Sequence, residues 1–161
     1  MSLVIRVATE DDLSLIAGFI RALAEYERLS HAVEFDEEQL RRSLFGERPF
    51  AEVLIAEDGG DPVGFALFFH NFSTFLGRPG IYLEDLFVRP EARGKGFGKA
   101  LLARLAQIAL ERGCGRVEWA VLNWNQPSIE FYDALGARPN SDWTVYRLTG
   151  EALQSLGRIR D

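Results

Sequence analysis

Apolar and polar residues follow two different periods along this chain. Between Leu13 and Ala24, apolar residues stand at positions 13, 16, 17, 20, 23 and 24, which is the spacing of one helix face. Between Pro62 and Phe72, every second residue from Phe65 to Phe69 is large and apolar, which is typical of a strand. The chain is therefore expected to combine helices with a sheet.

The same periods assign the rest of the chain, with turns at Asp58–Asp61 and Leu76–Gly80. The predicted strands are Val4–Ala8, Phe50–Glu57, Pro62–Phe72, Ile81–Val88, Arg116–Leu122 and Thr144–Leu148. The predicted helices are the apolar-faced segment after Thr9, then Asp36–Leu44, Phe97–Arg112 and Pro127–Leu135. The order β-α-α-β-β-β-α-β-α-β predicts an α/β fold. Its mixed sheet is expected to be antiparallel where hairpins join strands and parallel where a helix crosses over.

A glycine-rich segment, Arg93–Lys99, joins the strand Ile81–Val88 to the helix that begins at Phe97. A helix N-terminus leaves backbone N–H groups unsatisfied, and these donors with the positive end of the helix dipole suit a phosphate. Glycines let the backbone approach an anion closely, and Arg93 and Lys95 add positive charge. The segment predicts a cradle for a diphosphate, and an ordinary glycine-rich turn is the alternative. Neither the dinucleotide fingerprint nor the Walker A pattern fits it.

Composition narrows the class of protein. The 161 residues are 47% hydrophobic and 26% charged, which predicts one globular domain over residues 1–161. No apolar run is long enough to span a bilayer, and no signal-peptide pattern follows Met1, so a cytoplasmic protein is expected. The net charge of −6 argues against a nucleic-acid partner and is compatible with cationic substrates.

Other reactive side chains favour structural interpretations. Cys114 is the single cysteine, which excludes an internal disulfide, and it has no histidine near it in the sequence to activate a nucleophile. His31 and His70 lack a third ligand at metal spacing, so no metal is expected. The tryptophans are expected in the core or at an interface, at positions 119, 124 and 143.

A resemblance to a known family rests on these motifs. Arg93, Gly96 and Gly98 fit the pattern [Q/R]-x-x-G-x-[G/A], which resembles the acetyl-CoA loop of the GNAT family of N-acetyltransferases. The predicted element order is similar to that family over nearly the whole chain. Three motifs resemble its spermidine/spermine branch: Ile81–Val88, Trp124–Tyr132 and the pair Tyr26-Glu27. Two further segments resemble the diamine or thialysine relatives: Ser73–Arg78 and Val121–Asn125.

The resemblance implies acetyl-CoA as co-substrate and a set of residues that bind it. These residues are Phe87, Val88, Arg93, Gly94, Lys95, Gly96, Phe97, Gly98, Lys99, Asn125, Ser128 and Tyr132. In the family the strands part beside the pantetheine, which lies like an added strand, and backbone N–H groups near Phe87 and Val88 would polarise the thioester carbonyl. Read without the family, Phe87 and Val88 are core residues. The resemblance places the amine near Tyr26, Glu27, Glu84 and Asp85.

The chemistry of amine acetylation requires a base and favours an acid. Roughly one lysine-like amine in 2,500 is neutral at pH 7, so a group that removes its proton is useful. Glu84 is the candidate base, and a structural carboxylate that positions the substrate is the alternative. Asp85 points to the opposite face of a regular strand, and only a splay or bulge would let both carboxylates serve one site.

Tyr132 is the candidate general acid for the leaving thiolate. The alternative is a helix tyrosine that packs beside Phe131. Asn125 and Ser128 stand at the start of the same predicted helix, where polar side chains also cap.

The expected function is acetyl transfer from acetyl-CoA to a small primary amine, by direct attack in a ternary complex. Polyamines, diamines and thialysine-like amino acids are the expected substrates. The segment Ser73–Phe75 departs from the polyamine pattern, which favours a diamine or a thialysine-like amino acid over a polyamine. The alternatives are a protein or aminoglycoside N-acetyltransferase, and a non-catalytic acyl-CoA-binding module. The resemblance also implies a homodimer that pairs through about Asn140–Leu148, with no membrane or nucleic-acid partner.

Overall fold

A computed structural model of the chain describes residues 2–160. The chain divides into two compact units, with the boundary between Leu122 and Asn123. The expectation of one domain over the whole chain stays a prediction, and each unit is described by itself below.

The first unit is built on a mixed sheet. Among the residues that the structure describes, the sheet has five strands in the order β1-β2-β3-β4-β5. The strands are β1 Leu3–Val7, β2 Glu52–Asp58, β3 Asp61–Ser73, β4 Arg78–Val88 and β5 Val117–Trp119. The helices of this unit are α1 Leu13–Tyr26, α2 Glu37–Phe45 and α3 Phe97–Glu111. The α/β class and the mixed sheet are confirmed.

Strand direction follows the number of helices in each connection. One helix, α3, separates β4 from β5, and these strands pair in parallel, as predicted. Two helices separate β1 from β2, and these strands pair antiparallel, so the expectation that every helical crossover gives a parallel pair is wrong here. One helix carries the chain back to the end of the sheet where the preceding strand began, so the next strand runs parallel to it. A second helix carries the chain to the end where the preceding strand finished, so the next strand runs antiparallel.

Hydrogen bonds between side chains and the backbone precede α1 and cap α2. The Thr9 N–H donates to the Asp12 carboxylate at 2.8 Å, at the start of a 3₁₀ turn that leads into α1. Asp36 caps α2 by accepting from the Gln39 N–H at 2.8 Å. Such caps satisfy backbone donors that have no partner within the helix.

Aromatic rings fill the core between the sheet and α1. Phe19 of α1 stacks on Phe65 of β3 with ring centroids 5.3 Å apart, and Phe87 of β4 lies 6.1 Å from the same Phe19 ring. All three are buried, and they fix the distance between α1 and the end of β4. This packing brings the C-terminal end of α1 toward the strand that carries the candidate base.

The second unit contains α4 Gln126–Ala134 and α5 Gly150–Gly157. The predicted strand Thr144–Leu148 is wrong, because these residues form no helix or strand in the structure. A strand needs a neighbour, and the described part of this unit offers none. Val145 and Tyr146 are 89% and 93% exposed, and Trp143, expected in the core or at an interface, is 73% exposed. The sequence missed α5, which is short and opens with glycine, a poor helix former.

Candidate active site

A β-bulge in β4 sets the geometry of the site. Across β3, Leu67 pairs with Asp85 while the next residue, Phe68, pairs with Leu83. Glu84 is therefore the extra residue, without a partner in β3. The bulge breaks the alternation of faces at this point, which is the condition under which Glu84 and Asp85 can both serve one site. Glu84 is exposed, and Asp85 is half-buried.

Glu84 influences the pKa values of Glu27 and Asp85, and we call these three carboxylates the carboxylate cluster. Burial raises the pKa of Asp85 to about 7, and the negative charges of Glu84 and Glu27 add to the effect. Burial likewise raises the pKa of Glu27, with a further contribution from Glu84. Glu27 directly follows α1, so the helix end supplies one acid and the bulge two. The cluster can take up a proton or a cation near neutral pH.

Tyr82 belongs to the same surroundings, although the sequence did not single it out. Burial raises the pKa of its phenol, and the charges of Glu84 and Glu118 raise it further. The available signal was its position two residues before Glu84 in the same strand. The phenol stays protonated and is able to donate a hydrogen bond at neutral pH.

The edge of β4 is open beside this cluster. β5 pairs with β4 only at Ile81, Tyr82 and Leu83, whereas β4 continues to Val88. Within residues 2–122, no strand pairs with Glu84–Val88 on the β5 side. An extended chain with amide groups fits such an edge as an added strand would. The pairing between β4 and β5 therefore ends before Glu84, and the parting of strands around pantetheine stays a prediction.

The glycine-rich loop has the conformation of an anion site. Gly94 and Gly96 have φ angles of 77° and 87°, in the left-handed region, and Gly96 is the N-cap of α3. A Cβ atom placed on either glycine would meet no atom within 4 Å, so the loop is open to an approaching ligand. Lys95 and Lys99 are exposed. Phe97 is 1% exposed, so any contact that it makes with a ligand falls to its backbone N–H.

Arg93 is turned away from the loop that it opens. Its Nε donates a hydrogen bond of 2.9 Å to the Val88 carbonyl. Its guanidinium carbon lies 4.9 Å from the centre of the Tyr26 ring and 5.6 Å from that of Phe87. Arg93 therefore links the end of α1 to the end of β4. The spacing of residues in the loop motif does not predict this contact.

The remaining predicted residues lie in the second unit. Asn125 precedes α4 and is 5% exposed, but its side chain makes no capping bond to the helix, so the expected capping role is wrong for this residue and its contact with the cofactor stays a prediction. Ser128 lies in the first turn of α4, and Tyr132 follows one turn later. The Tyr132 ring lies 5.5 Å from the Phe131 ring, as the packing alternative predicted. Its role as an acid stays a prediction.

The fold brings His70 to Cys114, which the sequence did not foresee. The Cys114 sulfur lies 3.9 Å from His70 Nδ1, and that nitrogen lies 3.0 Å from the Gly80 carbonyl. Arg112, ion-paired with Glu52 at 2.7 Å, lies 2.9 Å from His70 Nε2. Because arginine only donates, Nε2 accepts and Nδ1 carries the proton that it gives to Gly80. His70 therefore has no lone pair with which to activate Cys114.

No group of three or more His, Cys, Asp or Glu side chains in residues 2–160 is placed to hold a metal ion. Within the same residues, no helix has the length and apolar character that crossing a membrane requires.

Comparison with known proteins gives concordant matches. The model of the acetyltransferase (GNAT) family matches residues 15–137. The chain is 42% identical to thialysine N-epsilon-acetyltransferase of Sus scrofa, over 96% of this chain and 97% of that protein. It is 34% identical to an L-ornithine N5-acetyltransferase of Arabidopsis thaliana, over 96% and 88%. An integron cassette protein from the mobile metagenome of V. cholerae has a similar structure, with a TM-score of 0.82, 29% identity and 99% of both chains covered.

Proposed function

Because the chain belongs to the acetyltransferase (GNAT) family, we propose that it transfers acetyl from acetyl-CoA to a primary amine of a small cationic molecule. The chain is an acetyltransferase, and its relatives support acetyl transfer to amines. The proposed substrates are diamines, polyamines and thialysine-like amino acids. The observation that carries the proposal is the carboxylate cluster on a bulged strand beside an open strand edge.

The described residues fit acetyl-CoA in two places. The backbone of Glu84–Val88 offers hydrogen-bonding groups along an edge without a strand partner on the β5 side, which suits the amides of pantetheine. The left-handed glycines at 94 and 96 and the N-terminus of α3 suit the diphosphate, with Lys95 and Lys99 adding charge. Further proposed contacts come from Phe97, Gly98, Asn125 and Ser128. When bound, acetyl-CoA supplies the activated acetyl group.

The carboxylate cluster is proposed to attract the protonated amine and to supply the base that removes its proton. An ammonium group is drawn to three neighbouring carboxylates, and Tyr26 adds an aromatic surface beside them. The amine attacks only after it loses a proton. Glu84 remains the proposed acceptor of this proton, and the bulge allows Asp85 to serve the same site. A carboxyl whose pKa lies about 7 is well matched to proton transfer near neutral pH.

The remaining steps need a place for developing negative charge. The backbone N–H groups of Phe87 and Val88, late in β4, are proposed to polarise the carbonyl under attack. Tyr132 is proposed to donate a proton to the departing thiolate. Direct transfer is proposed in preference to an acetyl-enzyme, because the hydrogen bonds of His70 leave Cys114 without a base.

Three broader proposals accompany this chemistry. The whole chain is proposed to act as one acetyltransferase domain, since the family match spans the boundary between the two units. The protein is proposed to be a homodimer and to reside in the cytoplasm. The exposed apolar side chains of the Asn140–Leu148 segment support the dimer.

Thiol release from acetyl-CoA across a panel of amines tests the function. We expect release with putrescine, spermidine, thialysine or ornithine, an acetylated amine by mass spectrometry, and intersecting lines in initial-velocity plots. Calorimetric binding of acetyl-CoA without thiol release for any amine would contradict catalysis and support the acyl-CoA-binding module. Parallel velocity lines would contradict direct transfer in a ternary complex.

A further inference from the structure

We propose that Arg93 is a positioning residue that holds the amine-binding end of α1 against the end of β4, and is not a ligand of the diphosphate. The proposal rests on the proposed function, because it assigns Arg93 to the amine side of that site. It departs from the motif, which places Arg93 with the acetyl-CoA loop.

Contacts with two elements fix the Arg93 side chain. Its Nε donates to the Val88 carbonyl at 2.9 Å, which ties it to the last residue of β4. Its guanidinium lies over the ring of Tyr26, the last residue of α1, and near the ring of Phe87. A planar guanidinium can donate from its edge and stack by its face at the same time, which is the arrangement found here.

The end of α1 leads directly into one member of the carboxylate cluster. The chain leaves the helix through Glu27 and then Arg28, whose φ of 61° lies in the left-handed region that a non-glycine side chain rarely adopts. The helix therefore stops abruptly beside the carboxylate cluster. A contact that fixes the Tyr26 ring also fixes the next residue, Glu27, whose charge raises the pKa of Asp85.

The diphosphate has other partners in the same loop. Gly94 and Gly96 hold the backbone in the left-handed conformation that gathers N–H groups, and Lys95 is exposed beside them. The Arg93 side chain leads back from this loop toward β4 and α1. Arg93 and Lys95 are thus expected to affect different substrates, although only one residue separates them in the chain.

Four variants test whether Arg93 serves the amine and Lys95 the diphosphate: Arg93→Gln, Arg93→Lys, Tyr26→Leu and Lys95→Gln. Both Arg93 variants are expected to raise the KM of the amine about tenfold, the scale of a charged hydrogen bond with a cation–π contact, because lysine cannot stack and donate from one plane. Calorimetry is expected to give an acetyl-CoA affinity within about twofold of the wild type for both. Lys95→Gln is the charge-matched comparison, and it is expected to weaken acetyl-CoA binding and spare the KM of the amine.

A double variant tests whether Arg93 acts through Tyr26. Tyr26→Leu alone is expected to raise the KM of the amine, and adding Arg93→Gln to it is expected to raise KM by less than the product of the two single effects. Tyr26→Leu leaves the loop intact, so it serves if an Arg93 variant folds poorly. Full additivity would overturn the proposal, as would wild-type kinetics in Arg93→Lys.

Calorimetry separates this proposal from the proposed function. If Arg93→Gln loses acetyl-CoA affinity as Lys95→Gln does, while the KM of the amine is unchanged, Arg93 is a diphosphate ligand and the positioning role is overturned. If the wild-type protein transfers acetyl to no amine, the proposed function fails. Loss of acetyl-CoA affinity in Arg93→Gln would then overturn the present proposal too. Retained affinity would support the statement that Arg93 is not a ligand of the diphosphate.

Discussion

At the scale of single residues, Glu84 and Asp85 show how one extra residue in a strand changes the chemistry. They are adjacent in the chain, yet Glu84 is exposed and Asp85 is half-buried. The sequence identifies both as candidates, because Glu84 lies on the strand that ends at the glycine-rich loop and the family resemblance places both near the amine. It does not give the raised pKa of Asp85, which depends on burial, on Glu84 and on Glu27, a residue far away in the chain.

The raised pKa of Asp85 predicts an unusual dependence of stability on pH. The folded-state pKa of about 7 exceeds the unfolded value of about 4, so folding favours the protonated form. The stability that this carboxyl contributes is complete below about pH 4 and is lost as the pH rises through about 7. Asp85→Asn, which stays neutral, is therefore expected to be more stable than the wild type at pH 8, by on the order of 1 kcal/mol.

Urea unfolding at pH 5 and pH 8 measures this difference. The excess stability of Asp85→Asn is expected to be larger at pH 8 than at pH 5, while its activity falls. Asp61→Asn changes an exposed aspartate at the start of β3 and serves as the control, with little difference at either pH. An Asp85→Asn protein less stable than the wild type at pH 8 would show that the carboxylate is not destabilising in the folded state.

Tyr132→Phe tests the proposed general acid. The variant keeps the ring beside Phe131 and removes the proton donor. We expect kcat to fall by about 10²-fold or more, with little change in acetyl-CoA affinity, under conditions in which chemistry limits the rate. Tyr146→Phe is the matched control, because that phenol is 93% exposed. Wild-type turnover in Tyr132→Phe would assign the residue to packing alone.

At the scale of elements, local patterns predict most of the fold and miss what depends on pairing. Hydrophobic periodicity locates β2, β3, β4, α1 and α3 to within a few residues of their observed ends. It gives no sign that β5 stops at Trp119 and leaves β4 open, because Ala120, Val121 and Leu122 continue an apolar run. It also fails at Thr144–Leu148, since β-forming residues make a strand only where a neighbouring strand accepts their hydrogen bonds.

The glycine-rich loop provides a prediction for one element. Gly96→Val is expected to block acetyl-CoA binding, because a branched side chain would stand where the diphosphate approaches the start of α3. Valine at a φ of 87° is also strained, so a control for strain is required. Gly113→Val supplies it, with a φ of 71° and open space around its Cβ, just beyond the other end of α3.

Calorimetry on folded protein compares the two variants. Gly113→Val is expected to lose stability and keep its affinity for acetyl-CoA, whereas Gly96→Val loses the affinity. Unchanged affinity in Gly96→Val would refute the assignment of this loop to the diphosphate.

At the scale of the whole molecule, exposed apolar surface predicts self-association. Trp143, Val145 and Tyr146 are each more than two-thirds exposed within one short segment. We expect light scattering at micromolar concentration to give twice the chain mass of 18.1 kDa. Tyr146→Asp is expected to shift the protein toward the monomer, and a wild-type mass near that of one chain would count against the dimer.

Net charge and the carboxylate cluster together predict the preferred substrate. The chain carries a formal charge of −6, and Glu27, Glu84 and Asp85 gather part of it at one site. Long-range attraction to such a site favours a second positive charge on the substrate and weakens with salt. The matched comparison is a diamine against a neutral-tailed monoamine of equal length, with Glu27→Gln as the variant that removes one charge.

The most direct measurement is therefore kcat/KM for these two amines in the wild type and in Glu27→Gln, at low and high salt. We expect the wild-type enzyme to prefer the diamine, by about tenfold for each roughly 1.4 kcal/mol of added attraction, and we expect Glu27→Gln and added salt each to narrow the preference. Equal or better use of the neutral monoamine by the wild type would contradict the cationic substrate, while the membership of the acetyltransferase family would stand.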